Sequence, residues 1–358
     1  MNLSLEYQLS HQNMTATVLK CSKEATHVII PKEVTFGPAV FRVTSIGQFA
    51  FNTCEQLTSI VIPDTVTTIG HGAFIRCTAL QSIAIPNSVV SIERAAFWWC
   101  TSLTTVDIPD SVVNIGELAF GVCKKLRTIT LPNNLGKISR RCFMESGLQS
   151  ITIPEGVKTI ERMAFHHCEY LKSVTIPSSV TYIGDIAFDW CDKLETIIVA
   201  EGNPVYDSRE NCNAIIETAT NTLIVGTNKS FIPQGITTIG ENAFNVRVHL
   251  ASIEIPNSVT SIEFSALAAC YSLTSITIPK SVTSIADHAF GCCNSLTTVH
   301  IPDSVKSIGN GAFFMCETLS NIIFNGTIEQ WKNIEIEKKW NLGVPATTVH
   351  CSDGDVEL

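Results

Sequence analysis

The sequence predicts a repeat solenoid, a β-rich rod of about eleven stacked coils of about 23 residues each, with hairpin-type caps at both ends. Three observations support this fold class. An apolar residue followed by proline recurs at a fixed step, and an isoleucine recurs eleven times a short distance after it. In addition, each coil carries two apolar sets that it cannot bury alone, whereas stacked coils can.

The prolines give the register of the repeat. Pro63, Pro86, Pro109 and Pro132 are 23 residues apart, Pro154 follows after 22, and Pro177 after 23. A step of 56 leads to Pro233, and steps of 23 then resume through Pro302. The repeated isoleucines are Ile46, Ile69, Ile92, Ile115, Ile138, Ile160, Ile183, Ile239, Ile262, Ile285 and Ile308.

Residues 103–123 illustrate how one coil is built. Alternation places Val106 and Ile108 on one face of a strand, and Pro109 ends that strand because proline has no N–H for a ladder bond. The next apolar residues have spacings that fit no strand. They predict a bend, a short extended piece and then a helical or 3₁₀ turn around Ala-Phe. These residues are Val112, Ile115, Ala119, Phe120 and Cys123.

A period of 20–29 residues with an L-x-x-I-x-I strand is typical of leucine-rich repeats. The longer pattern I-P-x-x-V-x-x-I-G-x-x-A-F-x-x-C-x-x-L, over about residues 46–324, resembles the BspA-like leucine-rich-repeat family. The segments 203–218 and 326–358 also resemble parts of that family. The resemblance implies a right-handed leucine-rich-repeat solenoid. It also implies a cell-surface protein, often an adhesin for host matrix proteins or for other bacteria.

The repeat divides the chain into five predicted segments. They are an N-terminal cap (1–45), a first solenoid part (46–199), an extended coil with a hairpin insertion (200–232), a second solenoid part (233–324) and a C-terminal cap (325–358). Caps are needed because the terminal coils of a solenoid would otherwise expose apolar edges. Residues 214–217 and 222–225 predict a hairpin in the extended coil. It either stands off the rod as a binding element or is structural, as a tolerated excursion or a rigid staple between the two solenoid parts. The structural role is favoured because the family that the chain resembles carries the same element.

Local signals predict the structure of both caps. The segments Leu5–Leu9 and Thr15–Leu19 predict a hairpin in the first cap. In the second cap, Thr327 with Gln330 predicts a capping box for a short helix, and Asp353-Gly354 predicts a closing hairpin. Trp331 and Trp340 are expected to cover the last coil, with ligand stacking as the alternative.

Nine of the fourteen cysteines occupy one repeat position. The chain has no C-x-x-C motif, and cysteines in a ladder would have parallel Cβ vectors, so neither zinc nor disulfides are expected. The column is interpreted as small buried hydrophobes, and Cys292, outside the column, as the most reactive thiol. The column consists of Cys54, Cys77, Cys100, Cys123, Cys168, Cys191, Cys270, Cys293 and Cys316.

Composition and motifs exclude several classes of function. A net charge of −9 argues against a nucleic-acid partner and against an anionic membrane surface. No apolar run reaches 18 residues, so no membrane insertion is expected. The nine histidines are scattered, and the known nucleotide, hydrolase and metalloprotease motifs do not occur. We therefore expect no catalytic residue, no metal, no cofactor and no enzyme activity.

Two sets of outward positions are candidates for binding a partner. On the first strand of each coil, one outward column is mixed in composition and includes Asp107, Glu254 and His300. Directly before the cysteine position, three coils carry large or ionisable side chains, namely Trp98, Trp99, His166, His167 and Trp190. These five form a predicted hot spot, with packing of one residue of each pair between coils as the alternative. The histidine pair would make such a site sensitive to pH.

The sequence therefore predicts a non-enzymatic binding protein that recognises a protein, possibly of the host matrix, or a glycan through its solenoid faces. The alternative is an intracellular or secreted interaction scaffold or effector without an adhesive role. The polar start of the chain lacks the pattern of a secretory signal. We expect a cell-surface or secreted protein if a leader was removed ahead of Met1, and a cytoplasmic protein if Met1 is the native start.

Overall fold

The structure, a computed structural model, describes residues 5–358. The chain divides into two compact units, Met1–Cys191 and Asp192–Leu358, and each unit is a solenoid of stacked β-coils. The predicted fold class is thus confirmed, although residues 1–4 of the predicted first cap lie outside the described residues. The number of stacked layers in each unit exceeds the number of regular repeats. The extra layers come from cap and insertion segments, whose strands pair into the same sheets.

Every regular coil has three sides. The first sheet is formed by the strand before Ile-Pro, the second sheet by a short strand that ends at the repeated isoleucine, and the turn face by the tight turns through Ala-Phe-x-x-Cys. In Met1–Cys191 the first-sheet strands are His27–Ile29, Ser59–Val61, Ser82–Ala84, Thr105–Asp107, Thr128–Thr130, Ser150–Thr152 and Ser173–Ile176. The second-sheet strands are Ala39–Ile46, Thr68–Ile69, Ser91–Ile92, Asn114–Ile115, Lys137–Ile138, Thr159–Ile160 and Tyr182–Ile183.

Two hairpins close the N-terminal end of the first unit. Leu5–Ser10 pairs antiparallel with Thr15–Cys21, as predicted, and Thr15–Cys21 pairs in parallel with Ala39–Ile46. A second hairpin, Glu33–Phe36 with Ala39–Ile46, was not predicted. Together they cover the edge of the second sheet, which would otherwise present unpaired backbone groups.

The second unit repeats this plan. Its first-sheet strands are Thr196–Val199, Ser275–Thr277, Thr298–Ile301, Asn321–Phe324, Thr348–Cys351 and Gly354–Glu357. Its second-sheet strands are Tyr206–Asp207, Ile215–Glu217, Thr222–Val225, Thr238–Ile239, Ser261–Ile262, Ser284–Ile285, Ser307–Ile308 and Glu335–Ile336. A 3₁₀ turn spans Arg209–Asn211, and a short helix spans Ile328–Lys332.

The hairpin of the extended coil does not stand off the stack, so the first of the two alternatives for it is wrong. Ile215–Glu217 pairs antiparallel with Thr222–Val225, and the latter strand pairs in parallel with Thr238–Ile239. Ile215, Ile216 and Leu223 are fully buried. Their burial explains the difference, because an outlying hairpin would have exposed these apolar side chains to water.

The C-terminal cap has the predicted elements. The helix Ile328–Lys332 begins with a reciprocal capping box between Thr327 and Gln330. Thr348–Cys351 and Gly354–Glu357 form the closing hairpin. Trp331 and Trp340 are buried, and the ring of Trp340 meets the ring of Phe313 edge-on at 6.0 Å. The two indoles cover the last coil, as expected.

The turn around Ala-Phe is neither helical nor 3₁₀, contrary to prediction. The residue before Ala and the residue before Cys adopt positive φ, for example 55° at Ala95 and 66° at Trp99. The N–H groups of Ala95, Phe97 and Trp99 donate to carbonyls of the next coil at 2.7–3.0 Å. In an α-helix these N–H groups would donate to carbonyls four residues earlier in the same segment. Here they donate to the next coil, so the ladder of hydrogen bonds between coils continues on the third side.

Like residues stack on one another in the core. In the first unit seven phenylalanine rings form one column, with centroids 4.9–5.9 Å apart and planes within 14° of parallel. The column consists of Phe51, Phe74, Phe97, Phe120, Phe143, Phe165 and Phe188. The column is completely buried, so its rings stabilise each interface between coils by about 2 kcal/mol or more through area alone.

The cysteine column is buried as predicted, but it also supplies hydrogen bonds. The thiol of Cys100 donates to the carbonyl of Phe74 in the preceding coil at 3.1 Å, and Cys123 and Cys191 repeat this contact at 3.3 and 3.2 Å. In the coil where Arg247 replaces cysteine, its buried Nε donates to the carbonyl of Gly226 at 2.7 Å. In these coils the position combines a hydrogen-bond donor with a buried side chain.

The first sheet of the first unit is interrupted at two places, and one of them lies beside a short coil. No ladder joins Thr128–Thr130 to Ser150–Thr152, and a similar interruption separates Ser59–Val61 from Ser82–Ala84. Residues 146–148 are one residue shorter than the corresponding segment 123–126. A Cβ on Gly147 would lie 2.2 Å from the carbonyl oxygen of Lys124, so only glycine permits this close approach.

Thiol labelling tests the burial of the cysteines. Twelve are buried, while Cys292 and Cys351 are half-exposed. Burial raises the pKa of Cys123 to about 12 and that of Cys212 to about 11, and it also raises the pKa of Cys292 and Cys351. Because the thiolate is the reactive form, we expect at most these two half-exposed thiols to react in native protein at pH 8, and faster reaction as the pH rises.

The measurement is a time course with iodoacetamide, read by peptide mass spectrometry, with protein in denaturant as the control. Rapid labelling of more than two positions in the native protein would contradict the buried column.

Candidate partner-binding surfaces

The mixed column carries Asp107 in the first unit and both Glu254 and His300 in the second. Asp107 is exposed and accepts a hydrogen bond at 2.9 Å from the hydroxyl of Thr130 in the next coil. Glu254, in the other unit, is exposed in a segment without strand structure. His300 is half-buried between Thr277 and Ile323, with which it is in parallel register. Within the second unit, Glu254 and His300 belong to coils two repeats apart.

Trp98 and Trp99 have different roles, so both interpretations of this pair hold in part. Trp98 is half-buried with its Nε1 inaccessible, and it leans over Gly121, where a Cβ would lie 3.2 Å from its ring. Trp99 is 38% exposed, and the guanidinium of Arg76 lies 5.5 Å from its ring centroid. Trp98 therefore fills space between coils, and Trp99 faces solvent.

The second cluster lies farther along the same face. The rings of His167 and Trp190 are 5.6 Å apart, and Trp190 is 39% exposed. His166 is half-buried, and its inaccessible Nδ1 has no hydrogen-bond partner among residues 5–358. Burial and, to a lesser extent, the neighbouring His167 lower the pKa of His166 below its ordinary value. At neutral pH it is therefore an uncharged ring that packs.

We name Arg76, Trp99, His167 and Trp190 the turn-face surface. All four occupy the position before the cysteine column, where the backbone φ is 58–66°. Arg76 and Trp99 belong to adjacent coils, as do His167 and Trp190. Three coil steps separate Trp99 from His167, which corresponds to about 14 Å at the usual strand spacing.

The second unit carries a comparable apolar group that the sequence reasoning largely missed. Phe264 is exposed, and the ring of His288 lies 5.9 Å from it and 6.2 Å from Phe314. The side chain of His288 extends over Gly311, as that of Trp98 extends over Gly121. The sequence did contain a signal for these groups. In both, a glycine follows the large side chain one repeat later and leaves room for it, as Gly121 does for Trp98 and Gly311 for His288.

Separate substitutions test the two roles of the tryptophan pair. Trp98→Ala should lower the free energy of unfolding by about 2 kcal/mol, because it empties space between coils. Trp99→Ala should change it by no more than about 0.5 kcal/mol. Trp99→Gly should be about 1 kcal/mol more stable than Trp99→Ala, since glycine adopts positive φ without strain. Urea unfolding followed by circular dichroism measures all three, and equal losses at both positions would refute the division.

The histidine pair predicts a pH dependence of stability. Because the pKa of His166 is lowered in the folded state, the unfolded chain takes up a proton below pH ~6.5 more readily than the folded chain does. Stability should therefore fall as the pH drops below that value. The neighbouring charges are Glu145, Arg141 and Arg162.

We expect His166→Gln to reduce the fall in melting temperature between pH 7.5 and 5.5, with His71→Gln as the control. An unchanged pH dependence in the His166 variant would show that this ring does not contribute.

Metal ligation and membrane insertion are two further properties of the described residues. Between residues 5 and 358 no group of three or more His, Cys, Asp or Glu side chains is arranged to hold a metal ion. Over the same range, no helix has the length and apolarity needed to cross a membrane.

Comparison with known proteins identifies the repeat. A profile described as the BspA type leucine-rich repeat region matches residues 44–148, 136–214 and 225–339, with six copies. A solved leucine-rich cell-surface protein from Faecalibacterium prausnitzii A2-165 is 33% identical, with 94% of this chain and 97% of that chain covered and a TM-score of 0.73. No curated protein matches the chain.

Two further solved structures show the same architecture. A leucine-rich-repeat protein from Bacteroides ovatus ATCC 8483 is 26% identical, with 93% of this chain and 98% of that chain covered and a TM-score of 0.56. The pneumococcal vaccine antigen PcpA is 18% identical with 97% of each chain covered and a TM-score of 0.60, which indicates a shared fold alone. On the profile match and the first of these similarities, this chain belongs to the BspA-type leucine-rich-repeat family.

Proposed function

We propose that this chain is a non-enzymatic cell-surface adhesin that binds a protein partner, such as a host matrix protein, through the turn-face surface. The observation that carries the proposal is the exposure of two large indole rings, Trp99 and Trp190, at backbone positions that are strained for any side chain. The core does not need these rings, and tryptophan and arginine are the residue types most enriched at binding hot spots.

Backbone strain strengthens this argument. The residue before the cysteine column has φ between 53° and 66° in all eleven coils, a conformation that glycine adopts at the lowest cost. None of the eleven is glycine. Each such position costs about 1 kcal/mol or more, so a side chain retained there must compensate. Buried Val122 and Val246 compensate by packing, whereas exposed Trp99 and Trp190 have no comparable burial.

The chemistry of the surface favours a protein as the partner. Trp99 with Arg76, and Trp190 with His167, each combine a flat apolar ring with a group that carries or can accept positive charge. Protein interfaces use this combination to bury aromatic anchors beside polar contacts. The similar F. prausnitzii protein is described as a cell-surface protein, which supports the same location for this one.

An interaction scaffold inside the cell is the second candidate, and the cysteines favour it. All fourteen are free thiols, whereas exported proteins in oxidising surroundings often form disulfides. In that case the turn-face surface would bind a cytoplasmic protein and would have no adhesive role.

Protease shaving of intact native cells distinguishes these locations. If the protein is an adhesin, protease should remove the chain from intact cells while a cytoplasmic marker survives. Protection of the chain until lysis would contradict the surface location and favour the scaffold.

Binding by substituted protein tests the turn-face surface itself. Trp99→Ala combined with Trp190→Ala should weaken binding to immobilised fibronectin, laminin or collagen at least tenfold, because anchor residues carry most of the affinity. Tyr182→Ala, which removes an exposed ring from the second sheet of the same unit, is the matched control. If the double variant, the control variant and the wild type all bound the matrix proteins equally strongly, the turn-face surface would not be the binding site.

A further inference from the structure

We propose that the interruption of the first sheet at residues 128–152 forms a binding groove for a neutral oligosaccharide. The groove has a volume of about 600 Å³, within the range of about 300–1,000 Å³ that is typical of small-molecule sites. Its polar lining consists of Thr128, Thr130, Ser150, Thr152, Asp110 and Asn133. These residues are distinct from the turn-face surface, so this inference does not rest on the proposed protein partner.

The groove lies beside the shortened coil. The chain at Gly147 lies against the carbonyl of Lys124, and the side chain of Arg127 donates to the carbonyl of Gly147 at 2.9 Å. On the adjoining first sheet, the strands 128–130 and 150–152 are neighbours that form no ladder with each other. Their facing backbone groups are left to water or to a ligand, because such groups require hydrogen-bond partners.

The hydroxyl groups in the groove are available for a ligand. Those of Thr128, Ser150 and Thr152 make no hydrogen bond to any residue in the range 5–358, and all three residues are exposed. Each hydroxyl can donate one hydrogen bond and accept two. A sugar hydroxyl has the same capacities, so a row of them matches a polyhydroxylated chain.

The charges in the groove favour a neutral ligand. No lysine, arginine or histidine lines it, so an acidic or sulfated chain would have no cation to pair with. The carboxylate of Asp110 already accepts hydrogen bonds from the backbone N–H and the side-chain amide of Asn133, at 2.8 and 3.2 Å. Asp110 is the one acidic residue in this lining, and its carboxylate is hydrogen-bonded to Asn133.

The second unit contains a groove of the same chemical kind. Residues 251–255 form no strand there, and the adjacent groove of about 420 Å³ has a polar lining of Gln234, Ser252, Glu254, Asn257, Ser275 and Thr277. Hydroxyl, amide and single carboxylate groups thus recur where the first sheet lacks its ladder. No aromatic ring lines either groove, so we expect weak binding that multivalent display makes measurable.

The test uses the full chain and beads that carry neutral gluco-, galacto- and manno-oligosaccharides of four to eight sugar units. Beads with sulfated and sialylated chains are the comparison. We expect retention on at least one neutral series, and we expect Thr128→Val with Thr152→Val to weaken it about fivefold or more, the factor for one lost hydrogen bond. Valine suits a strand, so the fold should survive.

Thr105→Val with Thr175→Val is the matched control, because both threonines are exposed on the first sheet outside the groove. Retention should be unchanged in this control. The proposal is overturned if no neutral series is retained, if only acidic chains are, or if the control loses as much as the groove variant. Loss of matrix-protein binding on substitution of the groove, without any sugar binding, would assign the groove to a protein ligand and also overturn it.

Discussion

Face-to-face stacking of phenylalanine rings at about 5 Å is the contact on which the architecture of the first unit depends. The spacing of 4.9–5.9 Å lies close to the separation of hydrogen-bonded strands, so one translation per coil satisfies the core and both sheets together. A single coil has no partner for its ring or for its strand groups. Cooperation between neighbours therefore supplies the stability, as in other linear repeat proteins.

The same translation explains the hydrogen bonds of the third side. Donors on the turn face must reach the next coil, and only a backbone that alternates into positive φ aims them there. The cysteine thiol completes the arrangement by donating to the carbonyl of the preceding phenylalanine. At Arg247 a much longer side chain occupies this position and still donates a hydrogen bond to a backbone carbonyl.

Periodicity and local capping chemistry made much of the fold predictable. The proline step located the coils, the Thr327–Gln330 pair located the last helix, and the apolar bulk of Trp340 identified a lid. The positive φ values could not be read from the sequence, because no glycine marks the position before cysteine. The placement of the hairpin in the extended coil could not be decided from the sequence, since its pairing with Thr238–Ile239 is a tertiary choice.

The candidate surfaces were predictable to different degrees. Large rings at Trp98 and Trp99 stood out against small residues in other coils, but which ring packs inward depends on Gly121 in the next coil. The groove at 128–152 depends on backbone pairing, which the one-residue shortening near Gly147 only hints at. The turn-face surface depends on the identity of side chains, whereas the groove depends on a missing backbone ladder.

The residue before each cysteine has a consequence for how such a protein diversifies. In coils such as those of Arg76 and Trp99, its N–H donates to a carbonyl of the next coil and its side chain lies outside the core. Mutation there alters what the molecule presents while leaving its internal register intact. Duplication of one 23-residue unit would go further, because the copy would set a second identical side chain directly beside the first. A single genetic event could thus convert one weak anchor into a bivalent one.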